Sequence, residues 1–69
     1  MVTRRDWLTA AIAALAEAGC EDAAFDARCL LEDFGGLSRG HAADDTPLTE
    51  QQTAALDTAL AQRAAGRPL

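Results

Sequence analysis

Apolar residues recur at helical spacing along the first stretch of the chain. They form one stripe, opposite Asp6, Thr9, Ala13 and Glu17, and the stripe consists of Trp7, Leu8, Ala11, Ile12 and Leu15. This pattern is typical of an amphipathic helix. It predicts a first helix over 4–18, with Thr3 as its N-cap, Asp6 in its first turn and Gly19 as its stop.

A second helix is predicted from its N-cap, Asp22, to the last residue before the break at 35–36. Its apolar face consists of Ala23, Ala27, Leu30, Leu31 and Phe34. Phe25 and Cys29 lie four residues apart on the other side, which favours a central helix that packs against neighbours on two faces. The alternative is an exposed Phe25 that binds a partner.

The segment over 37–47 gives a weaker signal. Ser38 is a suitable cap for one or two turns of helix that run to Ala43, whereas Gly40 and the pair Asp44 and Asp45 oppose a helix. We expect a short third helix here, with a linker over 46–49 after it.

The last helix is predicted to begin after Thr49, because Gln52 three residues later completes a capping box. Its inward stripe consists of Thr53, Leu56, Leu60 and Ala64. Arg63 lies beside this stripe, where its side chain either extends to solvent or meets an acid. A glycine at 66 and a proline at 68 stop the helix.

Composition agrees with an all-α fold, a small bundle of four to five short helices that forms one domain over 1–69. Alanine supplies 17 of the 69 residues, whereas valine and isoleucine occur once each. Alanine adds little buried area, so larger side chains must form the core. The predicted core consists of Trp7, Leu8, Ile12, Leu15, Leu30, Leu31, Phe34, Leu56 and Leu60.

The charge pattern argues against binding to nucleic acids, and the lengths of the apolar stretches argue against a membrane span. Six arginines and no lysines face 11 acids, a net charge of −5, and the arginines are scattered along the chain. No stretch has the length of a membrane span. Arg4 and Arg5 before an apolar run imitate a twin-arginine secretion signal, but the run is amphipathic and is therefore interpreted as a helix. We expect a cytoplasmic monomer whose acidic surface could face a basic partner.

The chain contains no recognisable catalytic, cofactor or metal site. Cys20, Cys29 and His41 do not have the spacing of zinc ligands, and the two cysteines are interpreted as small apolar residues in a reducing compartment. Ser38, His41 and Asp44 could be drawn as a triad, but a short glycine-containing loop is a poor scaffold for one. We therefore predict no enzymatic activity for this chain alone.

Several short motifs occur in a characteristic order. They are Trp7-Leu8, Ala18-Gly19, Asp26-Ala27 before Leu30-Leu31, Gly36-Leu37-Ser38-Arg39, Pro47-Leu48-Thr49, and a closing Arg63-Ala64-Ala65-Gly66-Arg67-Pro68-Leu69. In this order the chain resembles the N-terminal domain of the release factor glutamine methyltransferases, the PrmC/HemK family. Two departures stand out: the stretch between Ser38 and Pro47 is shorter than usual and lacks an apolar pair, and Arg67 replaces a frequent acid.

The resemblance implies a function in a larger enzyme. Members of the family methylate a glutamine of peptide chain release factors, and their catalytic domain binds S-adenosylmethionine on a Gly-rich turn and holds glutamine with an Asn-Pro-Pro-Tyr motif. This chain contains no Asn and no Tyr. The resemblance therefore implies a non-catalytic helical domain that helps to bind and orient the release factor beside a catalytic domain outside this chain.

Candidate contact residues for the partner are Arg28, Arg39 and His41. A domain that only stabilises or shields the catalytic half is a second interpretation, and a generic helical protein-interaction module is a third. The stretch over 44–49 also resembles the loop before the modified serine of acyl and peptidyl carrier proteins, but the Asp-Ser pair of that site does not occur here.

Overall fold

A computed structural model describes residues 2–66, in which three helices enclose one core. They are α1 (Arg4–Glu17), α2 (Ala23–Phe34) and α3 (Glu50–Ala64). The only strand-like pairing among these residues is a single antiparallel bridge between Thr3 and Pro47. The all-α class is confirmed. The predicted number of four to five helices is wrong, since residues 2–66 contain three.

Helix α1 begins as the sequence predicts and ends one residue earlier. The Thr3 side chain accepts a hydrogen bond from the Asp6 backbone N–H, which confirms the N-cap. Gly19 has a positive φ of 89°, and the Cys20 N–H donates to the Leu15 carbonyl at 3.0 Å. This is the Schellman arrangement that satisfies the last carbonyls of a helix.

Helix α2 begins after Asp22, but this residue does not cap it as predicted. The Asp22 side chain makes no capping hydrogen bond, and its φ and ψ of −107° and 51° lie outside the extended region that N-caps adopt. At the other end, Gly35 is the C-cap and Gly36 has a φ of 74°. The predicted stop at the glycine pair is confirmed.

The segment over 35–49 contains no helix, so the predicted short helix is wrong. Ser38 and His41 close a turn, with the His41 N–H donating to the Ser38 carbonyl at 3.1 Å, and Gly40 has a φ of 80° that ends any helical path. Residues 44–48, which we call the strap, then run antiparallel to residues 2–5.

Long-range backbone hydrogen bonds hold the strap. The N–H groups of Arg4 and Arg5 donate to the carbonyls of Thr46 and Asp44 at 3.1 and 2.9 Å, and the Leu48 N–H donates to the Val2 carbonyl at 2.8 Å. The side chains of Leu37 and Leu48 are buried at the two ends of the connecting segment. These two leucines anchor a loop that contains no regular structure of its own.

Helix α3 has the capping box that the sequence predicts. The Gln52 N–H donates to the Thr49 hydroxyl, and the Thr49 N–H donates to the Gln52 side-chain carbonyl, both at 3.0 Å. Leu56 is fully buried, and Leu60 and Ala64 pack against the core from partly buried positions. The end of the closing motif, Arg67-Pro68-Leu69, lies outside the described residues.

The core lies where the three helices meet, with α1 packing most extensively on α2. Alanines 11 and 27 are fully buried, and side chains of this size let helix backbones approach closely. The remaining buried residues are Trp7, Leu15, Ala23, Leu30, Leu31, Leu37, Leu48 and Leu56. Leu8, Ile12 and Leu60, predicted as core, are partly buried against this cluster.

Phe34 is not part of the core, although the helical pattern predicted it there. Its exposed fraction is 45%. Phe34 is the last residue of α2, and the glycine turn that follows brings Leu37 back into the core, where its N–H donates to the Leu31 carbonyl at 3.2 Å. Helical spacing therefore predicts the wrong buried residue here, because the chain reverses direction directly after Phe34 and Leu37 takes the buried position.

No helix within residues 2–66 is long and apolar enough to cross a membrane.

Candidate partner-binding surface

The outer face of α2 and the turn after it form an open groove of about 440 Å³, which we call the α2 groove. It is lined by Phe25, Arg28, Cys29, Glu32, Asp33, Arg39 and Gly40. The Phe25 side chain is 66% exposed. The favoured prediction, that this face packs against a neighbouring helix, is therefore wrong, because three helices leave the outer face of α2 uncovered. The alternative, an exposed aromatic, describes the structure.

The structure brings two of the three predicted contact residues together. Arg28 and Arg39 both line the α2 groove. Arg39 is 90% exposed, and its Nε lies 4.0 Å from the Glu32 carboxylate, at the limit of an ion pair. Among residues 2–66, Arg28 has no carboxylate within ion-pair distance. His41 is exposed and follows the groove residue Gly40 directly.

Arg4 joins the end of α2 to the strap, a role that the sequence analysis missed. Its Nε donates to the Gly35 carbonyl and its Nη2 to the Gly36 carbonyl, both at 3.0 Å, while Nη1 donates to both carboxylate oxygens of Asp44 at 3.2 Å. The residue in the first turn of α1 thus holds the end of α2 and the strap. A cation in a first turn opposes the helix dipole, and this mismatch was the available signal.

The Asp44 carboxylate is held in its charged form. Hydrogen bonds from Thr46, first among them the backbone N–H at 3.0 Å from Oδ1, lower the pKa of Asp44, and the Arg4 guanidinium lowers this pKa further. Asp44 is therefore bound to Arg4 and Thr46, and it does not serve as the orienting acid of a triad with His41.

Two polar contacts join α3 to the other helices. The Trp7 Nε1–H donates to the Asp57 carboxylate at 3.1 Å, and the Arg63 Nη2 lies 3.7 Å from the Asp26 carboxylate. Of the two alternatives for the Arg63 side chain, extension to solvent or contact with an acid, the structure shows the contact with an acid. These contacts join the middle of α3 to α1 and the C-terminal end of α3 to α2.

The described residues offer little for covalent or metal chemistry. Cys20 and Cys29 are both free thiols in partly buried positions. No group of three His, Cys, Asp or Glu side chains among residues 2–66 could hold a metal ion.

Comparison with models of protein families shows the family of this chain. A sequence model of the family described as the PrmC N-terminal domain matches residues 6–69. The match runs from the first turn of α1 through the closing motif after α3. A search of curated proteins found no match, and neither did a search of solved structures.

Proposed function

Since this chain belongs to the PrmC N-terminal domain family, and is thus the N-terminal helical domain of a PrmC/HemK-type methyltransferase, we propose that it binds a peptide chain release factor. In this function the domain orients the release factor so that one glutamine side chain reaches the catalytic domain of the same enzyme. Methyl transfer from S-adenosylmethionine is assigned to that catalytic domain. The enzyme would act in the cytoplasm as a monomer.

The observation that carries the proposal is the family match together with the open α2 groove. An aromatic side chain as exposed as Phe25, beside two arginines with little intramolecular engagement, is typical of the residues that dominate protein interfaces. Arg28, Arg39 and His41 are the proposed contacts. Most of the groove residues lie on α2, and a contact surface carried on a helix is largely ordered before its partner arrives, which lowers the entropic cost of binding.

Binding of a bacterial release factor to this chain, measured by isothermal titration calorimetry, tests the proposal. We expect Phe25→Ala and Arg39→Gln each to weaken binding about tenfold, which corresponds to roughly 1.4 kcal/mol. Phe25→Ala should leave the free energy of unfolding within about 0.5 kcal/mol, since the side chain is mostly exposed.

Arg5→Gln is the matched control for Arg39→Gln. Arg5 is also exposed and paired with one acid, Asp45, but it lies on the N-terminal side of α1, outside the α2 groove. The control should bind like the unaltered chain. A release factor that does not bind the unaltered chain, or binds the Phe25→Ala variant equally well, would contradict the proposal.

A further inference from the structure

A second groove, of about 610 Å³, lies between the N-terminal residues and α3. It is lined by Val2, Leu48, Glu50, Thr53, Ala54 and Asp57, and we call it the α3 groove. It shares no residue with the α2 groove. We propose that the α3 groove binds a segment of the release factor in which an apolar side chain is flanked by lysines or arginines. This inference rests on the proposed function and adds a second contact to it.

The apolar part of the groove is incompletely covered. Val2 is 41% exposed, although its carbonyl accepts the Leu48 N–H at 2.8 Å and its backbone is held against the strap. Leu48 and Ala54 complete the apolar lining. An ordered backbone that presents an exposed valine at the edge of a concave surface offers a place for a partner's apolar side chain.

The charge of the lining decides which partner fits. Glu50 and Asp57 are both exposed, and no basic residue lines the groove. Among residues 2–66, neither carboxylate lies within ion-pair distance of a basic group. They lie seven positions apart on α3 and therefore on the same face of the helix, about 10 Å apart along its axis. Cationic side chains at a similar separation would complement both carboxylates.

One carboxylate of the pair is already oriented. The Asp57 Oδ1 accepts the Trp7 indole N–H at 3.1 Å, which limits the rotation of this side chain toward the core. Because the acceptor is fixed by a buried tryptophan, the entropic cost of ordering Asp57 has been met before a partner arrives. Asp57 therefore supplies a negative charge that is already oriented, and Glu50 supplies a second one on the same face of α3.

Two grooves with different charge patterns give the domain a means of fixing orientation. The α2 groove presents two arginines and two acids around Phe25, whereas the charged side chains of the α3 groove are both carboxylates. A single contact leaves a partner free to rotate about it, whereas a second contact with a different charge pattern selects one orientation and penalises the reverse. The α3 groove therefore supplies the directional element that the proposed function requires.

The test combines charge removal with mapping of the contact. In the double variant Glu50→Gln and Asp57→Asn, both side chains keep their size. The amide at position 57 still offers a carbonyl oxygen to the Trp7 indole N–H. We expect the release factor to bind this variant about tenfold more weakly than the unaltered chain at low salt, with the difference shrinking as salt is raised. Glu17→Gln with Glu21→Gln, two exposed acids at the far end of α1, is the control and should bind within about twofold of the unaltered chain.

NMR amide shifts of the chain on titration with the release factor locate the contact. In the unaltered chain we expect the amide signals of Val2, Thr53 and Ala54 to shift when the release factor is added. In the variant with Glu50→Gln and Asp57→Asn we expect these shifts to be absent. If the release factor binds but leaves these amides unchanged, or binds both double variants equally, this inference is overturned while the proposed function stands. If the release factor does not bind the unaltered chain at all, the proposed function and this inference fall together.

Discussion

Arg4 connects three parts of the chain through one side chain. It donates to two carbonyls after α2 and to the Asp44 carboxylate in the strap, and its side chain is only 17% exposed. The last carbonyls of a helix have no partner within the helix, so an arginine with five donors is well suited to satisfy them. The first residue of α1 therefore also supplies hydrogen-bond donors to the carbonyls that follow α2.

Replacing Arg4 by methionine removes these donors while keeping much of the aliphatic part of the side chain. We expect the free energy of unfolding to fall by about 1–3 kcal/mol, because one part-buried carbonyl, one exposed carbonyl and one carboxylate lose their donor. Urea denaturation followed by circular dichroism measures the loss. Arg5→Met is the control, and it should change stability by less than about 0.5 kcal/mol, since the Arg5–Asp45 pair is exposed. Equal effects of the two substitutions would show that Arg4 is not the connecting residue.

Individual core residues could be predicted only where a helix is flanked by others. Trp7, Leu15, Leu31 and Leu56 are buried, as helical spacing indicates. The two phenylalanines could not be placed in this way, because the exposure of a residue at the end or on the outer face of a helix depends on how many neighbours the helix has. Arg4 was missed because its partners lie more than 30 residues away in sequence.

Helix ends give the clearest correspondence between sequence and structure at the scale of elements. The box between Thr49 and Gln52 satisfies two backbone donors at the start of α3. Asp22, a residue of equal capping preference, makes no such bond at the start of α2. Residue type alone does not distinguish the two, since the capping bond also needs an extended backbone at the cap.

This difference gives a prediction for the two caps. Thr49→Ala should lower the free energy of unfolding by about 1 kcal/mol, because it leaves the Gln52 N–H without its acceptor. Asp22→Ala should cost about half of that or less, since only the interaction of a charge with the helix dipole is lost. Chemical denaturation of both variants under one condition measures the difference. A larger loss for Asp22→Ala would contradict the assignment of the caps.

The strap should make stability depend on pH in the acidic range. The pKa of Asp44 is lowered from 3.8 in the folded chain by the Thr46 backbone N–H, the Thr46 side chain and Arg4. A carboxyl whose pKa is lower in the folded state contributes stability that is fully present well above 3.8 and is lost as the pH falls through the folded value.

Asp44→Asn removes this titration. We expect the free energy of unfolding of the unaltered chain to exceed that of the variant at about pH 6, and the difference to shrink steadily below about pH 4. Urea titrations at several pH values down to about pH 2 measure it. A difference that stays constant, or grows toward acid, would show that the charge of Asp44 does not stabilise the strap.

At the scale of the whole molecule, the small size of the fold leaves little stability to spare. A chain of this length has an expected free energy of unfolding of about 3–10 kcal/mol. Leu56 is the only fully buried leucine that α3 contributes, and it meets the cluster formed by α1 and α2. Removing its side chain therefore affects the docking of an entire helix.

Leu56→Ala is expected to cost about 2–5 kcal/mol, a loss of the same order as the total stability. Far-UV circular dichroism should show a large unfolded fraction at physiological temperature, and amide NMR spectra should lose dispersion throughout the chain. Phe25→Ala, an equally apolar truncation on the exposed face, should leave both spectra unchanged. Retention of the full helical signal by Leu56→Ala would mean that α3 is held by other contacts.

The overall architecture followed from sequence to the extent that it depends on local pattern. The three helices and the all-α class could be predicted from periodicity and from the caps of α1 and α3, and the family resemblance is confirmed over residues 6–69. The conformation of residues 35–49 could not be predicted from local pattern, because it is determined by backbone pairing with residues 2–5 and by the burial of Leu37 and Leu48. The α3 groove depends on the same pairing and was therefore also beyond sequence reasoning.

The pairing of residues 2–5 with the strap has a consequence for the order in which the protein forms. As the ribosome extends the chain from its N-terminus, α1 and α2 are neighbours in sequence and can associate early. The Thr3 bridge cannot close until Pro47 has left the exit tunnel. Residues 2–5 are thus synthesised well before the strap but reach their final place only after it, and until then the start of α1 stays unpaired in the incomplete nascent chain.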